Sequence, residues 1–152
     1  MIEFLTEAEY RTHLDKYYVM ARWDYYKPVI EMIKELELQD GESVLELGCR
    51  KFSLVKNCHT MDVEECWKPT YLYNATKIPW PFEDKKYKLV VGLQVFEHLG
   101  TSQVEVFSEV MRVANFAILS FPLMWECPKD PIHHGISLEK IAEWTHHRNP
   151  VK

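Results

Sequence analysis

Three stretches of this chain are apolar at consecutive rather than alternate positions. They are Val44-Leu45-Glu46-Leu47, Leu89-Val90-Val91-Gly92-Leu93 and Phe116-Ala117-Ile118-Leu119. A strand that is apolar on both of its faces must be covered on both, which is the condition of a parallel sheet between helical layers and not of a one-sided antiparallel sheet. Helical patterns separate these strands. "YYKPVIEMIKELEL" repeats Val29, Ile30, Ile33 and Leu36 at helical spacing and stops at Gln39-Asp40-Gly41. "TSQVEVFSEVMRVA" opens on a Thr/Ser cap and sets Val104, Phe107, Val110 and Met111 on one face. "ISLEKIAEWTHH" reads as a last helix from a cap at Ser137. Two further strands, "CHTMDV" and "TYLYNA", complete a sheet of about five. The expected architecture is α/β: a doubly wound, mostly parallel sheet with helices on both faces.

At 152 residues the chain forms one domain with a real core, and residues 1–25 read as an N-terminal helical extension or lid. The net charge of −5 disfavours a broad nucleic-acid surface, because neutralising phosphates takes clustered Lys and Arg. Lys85, Lys86 and Lys88 do cluster, but in what reads as a solvated turn. No apolar run reaches the roughly 20 residues of a membrane span, and the charged start "MIEFLTEAEYRTHLDKYY" lacks the apolar centre of a signal peptide. Cys49, Cys58, Cys66 and Cys127 form no CxxC pair, so a reducing, cytoplasmic setting is expected. The spacings of Cys127, His133 and His134, and of Cys58 and His59, match no usual zinc pattern, and no metal is expected.

In a doubly wound sheet, ligands sit at the carboxyl ends of the strands, near the point where strand order reverses. Four clusters lie there: Glu46 with Gly48 and Cys49, then Asp62, then Asn74-Ala75-Thr76, then Leu93-Gln94 followed by Glu97 and His98. The loop after the first strand, "GCRKFS", keeps one turn glycine and places Arg50 and Phe52 where a pyrophosphate-cradling loop needs bare backbone. A nicotinamide dinucleotide is therefore the least favoured ligand.

"VLELGC", the "DV" after the second strand, and above all "NATKIPWPFEDKKYKLVVGLQVFEHL" resemble the class I S-adenosylmethionine-dependent methyltransferases. The likeness runs from about Tyr26 to Trp144. It implies a Rossmann-like fold and transfer of a methyl group from S-adenosyl-L-methionine to an O or N atom of a small-molecule acceptor. The cofactor carries no phosphate, so one glycine can suffice in the loop. The resemblance implies that Glu46, Gly48 and Cys49 meet the methionyl end, and that Asp62, with Glu64 as substitute, accepts from the ribose hydroxyls. It places Asn74 and Ala75 beside the adenine, and Leu93 and Gln94 beside the methionine. Arg50 either meets the methionine carboxylate or, by default, points to solvent.

His98, His133 and His134 are the candidate bases, since histidine titrates near neutrality. Trp125, Tyr25 and Tyr26 could wall the acceptor pocket. Asp62 follows Gly48 by only 14 residues, which leaves room for a vestigial first crossover helix. Members of the family usually carry two more strands at the C-terminal end, missing from this reading; without them a sheet edge stays open to a homodimer contact. The alternative is a catalytically degenerate methyltransferase fold serving as a binding or scaffolding module.

Overall fold

The computed structural model describes residues 2–124 and 136–151. Five strands among these residues form one sheet: β1 (Val44–Leu47), β2 (His59–Asp62), β3 (Tyr71–Leu72), β4 (Tyr87–Leu93) and β5 (Ala114–Ser120). Their order is β3-β2-β1-β4-β5, and every pairing is parallel. Strand order reverses between β1 and β4, so the switch point lies beyond Leu47 and Leu93. Among the described residues four helices accompany the sheet: α1 (Glu7–Arg11), α2 (Met20–Lys34), α3 (Gln103–Val113) and α4 (Leu138–Trp144). This is the Rossmann-like α/β arrangement expected, with the sheet wholly parallel.

The consecutive apolar positions serve two cores. Val44, Leu89 and Val91 face one that α2 supplies with Trp23, Tyr26, Val29, Ile30 and Ile33. Leu45, Leu47 and Val90 face the other, filled from α3 by Val106, Phe107, Val110 and Val113. The buried face of α3 is therefore rotated from the expected one: Val104 is exposed and Met111 only partly buried. The capping Ser102 stands at the start of α3 without a side-chain hydrogen bond, whereas Ser137 accepts from the Lys140 N–H at 3.2 Å as a cap should. Helix α2 begins at Met20, five residues before the Tyr25 start read from the sequence. Pro28 suggests a helix start nearby, but burial of Trp23 and Tyr26 extends the helix upstream of it.

The β1–β2 connection contains no helix at all. Leu54 and Val55, both buried, fill the space beneath it. The N-terminal segment covers them. The Leu5 N–H donates to the Leu54 carbonyl at 2.9 Å, the Lys56 N–H donates to the Glu3 carbonyl at 2.8 Å, and Phe4 forms an antiparallel bridge with Val55. Helix α1, closed by a capping box between Thr6 and Glu9, then sets Tyr10 into the core. The expected extension thus does the packing work of the absent crossover helix.

On the opposite face a loop between β3 and β4 also replaces a helix, burying Trp80 and Phe82. Arg112 of α3 holds it, donating to the carbonyls of Phe82 (2.7 Å) and Trp80 (3.1 Å) and to Asp84 (2.9 Å). The lysine cluster is more than a solvated turn. Lys85 donates to the Ala114 carbonyl at 2.7 Å, and the Lys86 ammonium stands over the rings of Tyr71, Phe82 and Tyr87. No described helix is long and apolar enough to cross a membrane.

Candidate functional site

A cleft of about 660 Å³ opens at the carboxyl ends of β1, β2, β3 and β4, a size that suits small ligands. Glu46, Gly48, Cys49, Asp62, Asn74, Ala75, Leu93, Gln94 and His98 all border it. His133 and His134, with Trp125 and Cys127, lie outside the described residues. Four separate strand ends thus deliver their chemistry-bearing residues to one place, as the topology requires.

Gly48 ends β1 in the left-handed region (φ +65°), its N–H bound to the Met61 carbonyl at 2.9 Å. A Cβ there would stand 3.0 Å from Val95 Cγ2, so the turn needs glycine for both conformation and space. Two residues on, Arg50 also takes a positive φ (+47°), an unusual conformation for a residue with a side chain. The Arg50 side chain does not turn to solvent, the default expectation. It borders the cleft, stacked on the rings of Tyr17 (4.5 Å) and Trp67 (5.2 Å), and its Nε–H is buried with no acceptor.

Phe52 occupies the other glycine position of the resembled loop. Its ring is ringed by Tyr10, His13, Tyr18 and Tyr26, with centroids 4.9 to 6.0 Å away. The Phe52 side chain docks the N-terminal segment.

Glu46, buried on β1, accepts from the Leu54 N–H at 2.9 Å. Burial pushes its carboxyl up to about 8, which favours the protonated form at neutral pH, and a nearby cation would favour the anion. Burial likewise pushes the Cys49 thiol up to about 11 and the Cys58 thiol up to about 12, which makes both poor nucleophiles. Asp62, the last residue of β2, uses one carboxylate oxygen to accept from the Glu64 N–H at 2.9 Å. Asn74 accepts from the Thr76 N–H and hydroxyl, each at 2.9 Å, and so forms a turn as well as lining the cleft. The Ala75 carbonyl is pinned by the Trp80 indole N–H at 2.8 Å. Gln94 sits at φ +56° and donates from Nε2 to Ser120 Oγ at 3.2 Å, which ties the end of β4 to that of β5. His98 stands exposed on the rim, while its neighbour Glu97 is buried and pushed up to about 7.

Residues 17–26 supply a wall that the sequence reading assigned only in part, through Tyr25 and Tyr26. Tyr17, Tyr18 and Arg22 join them. Asp15 orders this turn: its Oδ1 accepts from the N–H groups of Tyr17 and Tyr18, both at 2.7 Å, and its other oxygen meets Lys51. Among the described residues no three His, Cys, Asp or Glu side chains converge to hold a metal ion.

No family model, curated protein or solved structure matches this chain. The site's chemistry therefore has to be read from its own residues.

Proposed function

We propose that the chain is a compact, cytoplasmic S-adenosylmethionine-dependent methyltransferase acting on an O or N atom of a small molecule. The observation that carries this reading is the convergence of Gly48, Asp62, Asn74-Ala75 and Leu93-Gln94 on one cleft at the switch point. The donor set fits the cofactor better than a dinucleotide. Asp62 offers an acceptor for ribose hydroxyls, Asn74 and Ala75 flank an adenine position, and Glu46 can ionise against a sulfonium or ammonium. Arg50 and Phe52 leave no bare backbone for a pyrophosphate.

When bound, the cofactor supplies an electrophilic methyl group open to in-line attack. The protein's share is positioning and exclusion of water, which the aromatic wall of Tyr18, Tyr25 and Tyr26 supplies at the cleft. His98, on the rim, is the group placed to take a proton from an acceptor that must lose one. The outer edge of β5, with Phe116 exposed, is the place for a homodimer contact.

A second reading, a binding module without turnover, draws on Phe52, which spends a loop position on docking the N-terminal segment. Calorimetric titration with S-adenosylmethionine and S-adenosylhomocysteine tests the cofactor assignment. Micromolar binding that drops about tenfold or more in Asp62→Ala supports it, the loss being that of a charge-assisted hydrogen bond. A folded chain that gives no heat with either ligand sinks it. Binding without methyl transfer across an acceptor screen favours the module.

A further inference from the structure

Arg22 and Arg50 approach the same aromatic ring from different parts of the chain. Their guanidinium carbons lie 4.1 Å and 4.5 Å from the centroid of Tyr17, and both side chains border the cleft. Neither has an ion-pair partner among the described residues, whereas Arg11 and Arg112 each engage a carboxylate. Two guanidinium cations thus border one cleft with no carboxylate paired to either, in a protein whose net charge of −5 offers many acids to pair with.

The two guanidinium groups are held differently, Arg22 by side-chain hydrogen bonds to Tyr25 and Tyr26. Arg22 commits its Nε–H to the Tyr17 carbonyl at 3.1 Å, which fixes the guanidinium plane. The Arg50 Nε–H is buried with no acceptor, and a buried donor without an acceptor is destabilising. Lys51, the neighbour of Arg50, is by contrast already paired with Asp15. Planar guanidinium forks match the two oxygens of a carboxylate or the oxygens of a phosphate. Tyr18, Tyr25 and Tyr26 border the same cleft and give it an aromatic wall that suits a flat group.

We infer that Arg22 and Arg50 form an anion subsite that holds the carboxylate or phosphate of a small, flat, acidic methyl acceptor. The role of the ligand as acceptor rests on the methyltransferase reading; the anion subsite itself does not. Tyr17 serves as the platform that keeps the two guanidinium groups in place while the site is empty.

The test titrates benzoate, phenyl phosphate and neutral benzamide into the full chain, with and without saturating S-adenosylhomocysteine. At least one anion should bind about tenfold more tightly than benzamide, as expected for a charged hydrogen bond gained. That preference should collapse to about threefold or less in Arg22→Gln and Arg50→Gln, with Arg50→Lys in between because it keeps the charge and loses the fork. Thermal melts by circular dichroism establish that each variant is folded. Equal binding of all three probes by the wild type overturns the subsite.

The cofactor's own carboxylate is the other source of such an anion, so the variants are also titrated with S-adenosylhomocysteine and with 5′-methylthioadenosine, which lacks the carboxylate. A loss confined to S-adenosylhomocysteine assigns the arginines to the cofactor and overturns the acceptor site. If the wild type binds no S-adenosylhomocysteine, the methyltransferase reading fails alone, and the probe series without it still decides the subsite.

Discussion

The Leu54 N–H donates to Glu46 at 2.9 Å, joining the buried acid of β1 to the loop that replaces the first crossover helix. This one bond stabilises the carboxylate form, but burial outweighs it and holds the proton on to about pH 8.

The unfolded chain releases that proton near 4.5, the ordinary carboxylate value, so across the window between about 4.5 and about 8 the folded state binds the extra proton. Stability therefore falls as pH rises through that window. Glu97, pushed up to about 7 by burial, adds to the fall over the lower part of the range. Glu46→Gln keeps an acceptor for Leu54 and cannot ionise. Melting temperature measured from pH 5 to pH 8 should decline less steeply in this variant, and the variant should be the more stable protein at pH 8. Parallel curves for the two proteins would mean that Glu46 ionises at its ordinary value.

Phe52→Ala removes the ring on which Tyr10, His13, Tyr18 and Tyr26 converge. The expected cost is about 2–4 kcal/mol, somewhat below that of a fully buried phenylalanine because Phe52 is only half-buried. Urea denaturation gives that number. Limited proteolysis locates the effect, since cleavage should rise within residues 12–19 before it rises elsewhere. Uniform cleavage along the chain would show that Phe52 supports the sheet as a whole and not the N-terminal segment.

Arg112→Lys keeps a positive charge on α3 but cannot span what the guanidinium spans. Arg112 binds both carboxylate oxygens of Glu109, at 2.8 Å and 2.7 Å, while reaching the Trp80 and Phe82 carbonyls and Asp84. Losing part of this set should cost about 2–3 kcal/mol, the scale of one or two charge-assisted hydrogen bonds. The Trp80 N–H, held by Glu109 at 2.6 Å, should then exchange its hydrogen faster than in the wild type. A stability within error of the wild type would mean that the packing of Trp80 and Phe82 and the Glu109 bond hold the loop without the guanidinium.

The sheet was legible because residues 89–93 are apolar at consecutive positions and Val44–Leu47 nearly so, a pattern that suits burial on both faces. The strand-end rule then placed Asp62, Asn74 and Gln94 beside Gly48 without knowledge of any contact. The N-terminal segment escaped the same reasoning. "EYRTHLDKYY" has no apolar period, and its role depends on aromatic side chains meeting Phe52 more than thirty residues away. Arg50 and Phe52 look like lost glycines when the loop is judged by what a pyrophosphate needs, yet in the fold they are gained contacts. The rotated face of α3 was misread because Val104 and Met111 fit a helical stripe as well as Val106 and Val113 do; only the position of the sheet chooses between the two stripes.

The missing helix after β1 carries a consequence for the order in which the molecule can form. Leu5 finds its partner in Leu54, 49 residues further along, so the stretch before α1 cannot dock until the first strand and its loop exist. Closing so long a loop is slow compared with winding a local helix, and until it closes Leu54 and Val55 remain wet. The stretch around Leu5 is thus laid on after the strand and loop it covers, although it precedes them in the chain.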